Sequence, residues 1–133
     1  MASVTFPIQL SWGDMDIFKH INNVAYMRYL ETGRALLIEK FNIDILTEDY
    51  GQIVVRHEVD YKKQLEFREE MMQLEVWIER IGNSSYDIGY EFKDSEHVYM
   101  TAITRMVCVN MHTGLPTRVP EHLRELFAQV SRG

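Results

Sequence analysis

The sequence predicts an α+β domain in which an antiparallel five-stranded sheet curls around one long helix. Three observations lead there. Five separate stretches alternate apolar with polar residues, the period of a strand with one buried face. One stretch, beginning at Asn22, instead repeats apolar residues every three or four positions, the period of a helix. Four of the alternating stretches follow that helix in succession, and consecutive strands joined by short turns pair antiparallel. At 133 residues the chain closes around a single core, so residues 1–133 are read as one domain.

The first strand covers Ser3 to Trp12, with Val4, Phe6, Ile8 and Leu10 on alternate positions. Pro7 suits a sheet edge, since it cannot donate to a neighbouring strand. Gly13 to Lys19 is a polar connection, and Asn22 or Asn23 is placed to cap the helix. The helical stripe is Tyr26, Tyr29, Leu30, Gly33 and Leu37, and the helix is expected to end near Phe41. Ala25, Leu36 and Ile38 fall outside that stripe, which predicts a helix covered around more than half its circumference. Gly33 costs about 1 kcal/mol relative to Ala in mid-helix, so close packing against its backbone is expected.

A short, helix-compatible link through Ile45 leads to a second strand, read with Ile53, Val55, His57, Val59 and Tyr61 on one face. Met72, Leu74, Val76 and Ile78 form a third strand. Gly82-Asn83 supplies a hairpin turn before Tyr86, Ile88, Tyr90 and Phe92. After Asp94-Ser95-Glu96, a long strand runs from Tyr99 to Val109 and stops at Thr113-Gly114. Pro120 opens a short terminal helix with Leu123, Leu126 and Phe127.

Composition excludes several functions. The net charge is −6, with 14 Lys and Arg scattered among 20 acids, whereas a nucleic-acid binder needs a basic face. No apolar run approaches the roughly 18 residues that span a bilayer, and residues 1–12 do not read as a leader. The single cysteine, Cys108, permits no intrachain disulfide, which agrees with a reducing compartment. The expectation is a soluble cytoplasmic protein with no nucleic-acid or membrane partner.

The densest polar cluster is Asp14-Met15-Asp16-Ile17-Phe18-Lys19-His20-Ile21-Asn22-Asn23, where the first strand meets the helix. A helix start offers unpaired N–H groups and partial positive charge, which suit a developing oxyanion. A nearby carboxylate serves there as base or nucleophile. The competing reading is that these residues only cap the helix and solvate the turn. Asp14, Asp16 and His20 lack further metal-ligand spacing, and no metal is expected. His57, His97, His112 and His122 show no metal-pair spacing, and Cys108 reads as a small core residue.

The run Asp16, His20, Asn22-Asn23, Tyr26 and Glu31 resembles the D-x-x-x-H-x-N-N-x-x-Y-x-x-x-x-E signature of hotdog-fold acyl-CoA thioesterases related to 4-hydroxybenzoyl-CoA thioesterase. Element order agrees over nearly the whole chain, and Thr113-Gly114 with Pro120-Glu121 resembles the family's ending. The resemblance implies a hotdog fold and hydrolysis of an acyl-CoA to a free acid and coenzyme A, without metal or organic cofactor. It puts the base or nucleophile on Asp16 and the oxyanion donor at the amide of Asn23 or Val24. His20 and Asn22 are expected to orient the carboxylate or the water, with Tyr26 and Glu31 supporting the substrate. It further implies a homodimer or tetramer assembled through the second strand. Where relatives carry a proline after that strand, this chain reads Tyr61-Lys62-Lys63-Gln64-Leu65. Lys62, Lys63 and Arg68 form the nearest basic cluster, read either as a solvated strand end or as the group that meets coenzyme A phosphates. An acyl-carrier-protein thioesterase and a non-catalytic acyl or CoA binder are the alternatives.

Overall fold

The computed structural model describes residues 3–132. Its strands are β1 (Val4–Ile8), β2 (Tyr50–Tyr61), β3 (Met72–Ile81), β4 (Ser85–Lys93) and β5 (Val98–Asn110). Its helices are α1 (Asn23–Phe41) and α2 (Glu121–Ala128). All five strands form one sheet in the order β1-β3-β4-β5-β2, and each neighbouring pair is antiparallel. Pro7 lies in β1, at one edge, as its missing N–H requires.

β2 lies at a sheet edge, where the family resemblance puts the second strand, and the succession of neighbouring strands does not extend to a β2–β3 pair. Residues 62–71 instead carry the chain across, and β2 lies at the opposite edge, beside β5. The register also shifts between Val54 and Arg56. A bulge inserts one residue, so the alternation changes sides there. Val54 and His57 share the concave face with Met106 and Thr104, while Ile53 falls on the outer face, opposite Val107.

The sheet wraps α1. Asn22 caps the helix by accepting a hydrogen bond from the Ala25 amide at 2.8 Å. The left-handed conformation of Asn42, with φ of 52°, ends it. Ala25, Tyr26, Tyr29, Leu30, Gly33 and Leu37 are buried, against a sheet face that includes Leu74, Val76, Tyr90, Phe92 and Met100. Gly33 is needed for the approach, because a Cβ there would lie 2.6 Å from Leu74 Cδ2. The covered side is narrower than expected. Leu36 and Ile38 are half-buried and Val24 is exposed, and Ile38 borders a cavity that it shares with Gln52 of β2. The link over residues 42–49 is not helical. The terminal helix α2 forms as expected and buries Leu123 and Phe127, the latter with its ring centroid 4.5 Å from that of Tyr86.

Candidate active site

The connection between β1 and α1 is built by local hydrogen bonding. Trp12–Asp14 makes a single 3-10 turn, and Met15 bridges Ile21 in antiparallel fashion. Between them the chain reverses. The Asp16 amide donates to the His20 carbonyl at 2.8 Å, and Lys19 adopts φ of 64°. Asp16 Oδ1 accepts from the amides of Phe18 (2.9 Å) and His20 (3.2 Å). Its second carboxylate oxygen has no partner among the described residues and the side chain is exposed. One oxygen therefore holds the turn while the other is left unengaged.

Asp14 is used differently. Its carboxylate pairs with Arg28 and accepts from the Tyr29 hydroxyl at 3.1 Å. Its carbonyl accepts from both the amide and Nδ2 of Asn22, at 3.0 and 2.7 Å. Asn22 thus clamps the loop to the helix start. The amides of Asn23 and Val24 occupy the first two helical positions, where no intrahelical acceptor exists.

The segment after β2 closes the opposite wall. The amide of Lys62 donates to the Tyr99 carbonyl at 2.8 Å, and the Ile21 amide donates to the Leu65 carbonyl at 2.7 Å. The result is a cleft of about 380 Å³ that brings Asp16, His20, Asn22, Asn23 and Tyr26 together with Lys62 and Lys63. Tyr61 and Gln64 also line it. The sequence reading quoted Tyr61 and Gln64 in the segment after the second strand but gave neither a role at the site, although the position of Tyr61 next to Lys62 was a usable signal. Tyr26 meets the rings of Tyr61 and Phe92 edge-on, with centroids at 5.4 and 5.6 Å. Burial, reinforced by the neighbouring tyrosines, raises the Tyr26 hydroxyl well above its ordinary value, so it remains a neutral donor.

Two candidates lie outside the cleft. Glu31 lines an apolar cavity farther along α1. Arg68 lies in a shallow depression with His20 and Lys63, its guanidinium bonded to Asp94 at 2.8 Å and to the Tyr99 hydroxyl at 3.2 Å. Burial raises the Asp94 pKa. Hydrogen bonds from the Tyr99 hydroxyl and the His97 and Glu96 amides, with the Arg68 charge, outweigh it and hold the carboxyl at about 2. A carboxyl depressed on folding stabilises the protein fully above its unfolded value and loses that contribution as pH falls through the folded value. Urea midpoints should therefore fall between pH 4 and pH 2, and Asp94→Asn should flatten that part of the slope.

Among the described residues no group of three or more His, Cys, Asp or Glu side chains is placed to hold a metal ion. No described helix is long and apolar enough to cross a membrane.

An antiparallel five-stranded sheet around a long helix, with a polar cleft at the helix start, defines a hotdog-fold protein. Residues 10–127 match the model of the thioesterase-like superfamily, and the chain belongs to that family. No curated protein sequence matches the chain. Among solved structures, the chain is similar to one described as a predicted thioesterase from Bacillus stearothermophilus. Identity is 27%, coverage 98% of this chain and 97% of the other, and TM-score 0.85. A 1,4-dihydroxy-2-naphthoyl-CoA thioesterase from Synechocystis shares the fold at 12% identity, 96% and 97% coverage and TM-score 0.85. A DHNA-CoA thioesterase from Staphylococcus aureus does so at 20% identity, 98% and 91% coverage and TM-score 0.83. Family and neighbours together support thioester hydrolysis as the reaction class.

Proposed function

We propose that the protein hydrolyses acyl-CoA thioesters in the cleft at the start of α1. The observation that carries this reading is the free carboxylate oxygen of Asp16 in the same cleft as the first turn of α1. The thioester carbonyl oxygen lies toward the Asn23 and Val24 amides, which stabilise negative charge as the carbonyl carbon becomes tetrahedral. Asp16 either takes a proton from the attacking water or attacks the carbon itself. Along the first route, the water oxygen bonds to carbon, the C–S bond breaks, and the proton held by Asp16 returns to the departing thiolate. Along the second, an acyl-Asp16 anhydride forms as the thiolate leaves and water then opens it. Both use only side chains, backbone amides and water.

The choice of coenzyme A as carrier rests on Lys62 and Lys63, two exposed cations on the cleft wall, and on the CoA substrates named for two neighbours. Replacing both lysines by Ala should raise KM for an acyl-CoA by about three- to ten-fold with kcat little changed. Added salt should shrink the difference. Release of free thiol across a panel of acyl-CoA and acyl-carrier-protein substrates tests the reading. Turnover confined to carrier-protein substrates would replace it with the carrier-protein alternative, and CoA binding without any turnover would replace it with the binder.

The working unit is a dimer or tetramer joined through β2. That strand is a sheet edge and exposes Ile53, Val54 and Val55, at 48%, 40% and 51%, a row that pairing with a second copy would cover. Light scattering at micromolar concentration should give at least twice the 15.7 kDa chain mass, and a monomer would count against the assembly.

A further inference from the structure

A run of hydrogen bonds that the Asp16 cleft does not use crosses the concave face of the sheet. Arg34, on α1, donates from Nη1 to the Tyr90 hydroxyl at 3.3 Å. The Tyr90 hydroxyl donates to Thr104 Oγ1 at 2.9 Å, and Thr104 Oγ1 lies 2.9 Å from Nδ1 of His57 on β2. A guanidinium cannot accept, so the direction of the first bond is fixed and the single hydrogen of Tyr90 goes on to Thr104. The Thr104 hydroxyl is fully buried and has no other acceptor among the described residues, so its own hydrogen goes to Nδ1. His57 is thereby held neutral, in the tautomer that carries its proton on Nε2.

Protonation at Nδ1 breaks this arrangement. Thr104 Oγ1 would then receive hydrogens from both sides, and its own would be left unpaired in a buried place, which is costly. Partial burial, and after it the Arg34 charge, lower the His57 pKa below its ordinary value. The surroundings do not offset them. Arg56 and Glu58, its neighbours on β2, alternate to the outer face and pair with each other at 3.6 Å. On the concave side β5 adds only the Cys108 thiol, opposite Gln52, and β4 presents Tyr90, which burial keeps neutral. Glu31 of α1 lines the same cavity as Arg34 and makes no ion pair with Arg34 or His57 among the described residues.

We propose that His57 makes assembly through β2 acid-sensitive: two copies join while the ring is neutral and separate as it takes a proton. The inference rests on assembly through β2 and not on the chemistry at Asp16. His57 stands near the middle of that edge strand, and it is exposed in the single copy. Pairing two β2 strands about their midpoint sets the two rings on one concave face, one to either side of the axis, each with its own Arg34. A second copy covering them removes water from a place that already holds a guanidinium, so the neutral ring is tolerated and the imidazolium is not. A ring whose pKa is lower in the pair than in the separate copies links association to pH with one sign. Association is strongest above the ordinary histidine value and weakens as pH falls through that value toward the lowered one. Two rings titrate per dimer, so a modest effect on each multiplies to about tenfold in the dissociation constant.

Sedimentation velocity on wild type and His57→Asn, at about pH 8 and about pH 5.5, tests this. Asn keeps an acceptor near the place of Nδ1 and cannot take a proton. The wild-type dissociation constant should rise by about tenfold or more on acidification, and that of His57→Asn by less than about threefold. An equal wild-type constant at both pH values overturns the proposal and leaves the assembly reading standing. An equally large rise in His57→Asn also overturns it, because other groups are then responsible. A wild-type chain that is monomeric at both pH values removes the assembly reading and the switch with it. Nitrogen NMR of the histidine rings at about pH 8 checks the hydrogen-bond run itself. His57 should carry its proton on Nε2, and a proton on Nδ1 overturns the proposal whatever the assembly.

Discussion

Asp16→Asn should lower thioester turnover by about 100-fold or more while leaving the fold intact. The structure makes this a clean substitution. The turn uses one oxygen of Asp16 as an acceptor from the Phe18 and His20 amides, and the Oδ1 of Asn can accept both bonds in the same way. What Asn cannot do is take a proton from water or form an anhydride, so the loss falls on chemistry. Asp14→Asn should show the reverse. Its carboxylate is committed to Arg28 and the Tyr29 hydroxyl, so the expected cost is about 1 kcal/mol of stability with much smaller loss of turnover. Thiol release and thermal midpoints for both variants separate the two roles. Wild-type turnover in Asp16→Asn would remove Asp16 from the reaction.

How much of this was legible in the sequence depended on whether a feature is local. The helix start was legible because capping is decided within four residues, and Asn22 does accept from Ala25. Gly33 was legible as a close contact because its cost in mid-helix needs a compensation, and Leu74 supplies it. The partner of β2 was not legible. Alternation says which side of a strand is buried but not which strand lies beside it, and residues 62–71 are long enough to cross the sheet. The bulge at Val55 was hidden for a related reason, since Ile53-Val54-Val55 offers an apolar residue to either face.

The same limit applied to the site. Asp16, His20, Asn22, Asn23 and Tyr26 lie within eleven residues, and one turn and one helix start suffice to gather them. Glu31 belongs to the same sequence pattern, yet eight residues of helix rise carry it roughly 12 Å along the axis from Asn23. Arg68 was grouped with Lys62 and Lys63 by charge. Its guanidinium is instead engaged by Asp94, a residue 26 positions away that only the fold brings near.

The largest stability effect is expected at Phe92. It is fully buried in β4, with its ring stacked on Tyr29 at a centroid distance of 5.2 Å and edge-on to Tyr26 at 5.6 Å. Those tyrosines form the buried side of the first turns of α1, and Tyr29 also donates to Asp14. Phe92 is therefore the part of the sheet against which the helix start, and with it the Asn23 and Val24 amides, is seated. Phe92→Ala removes the ring and leaves a cavity that the surrounding aromatics cannot fill without moving. The expected cost is about 3–5 kcal/mol, which for a domain of this size lowers the thermal midpoint by roughly 10–20 °C. Turnover measured well below that midpoint should fall as well, because the oxyanion donors lose their seat. Phe92→Leu keeps most of the volume and should recover much of the stability. If Phe92→Ala proves as stable as wild type, the aromatic cluster is not what positions α1, and the account of how the sheet presents the helix start to the cleft fails with it.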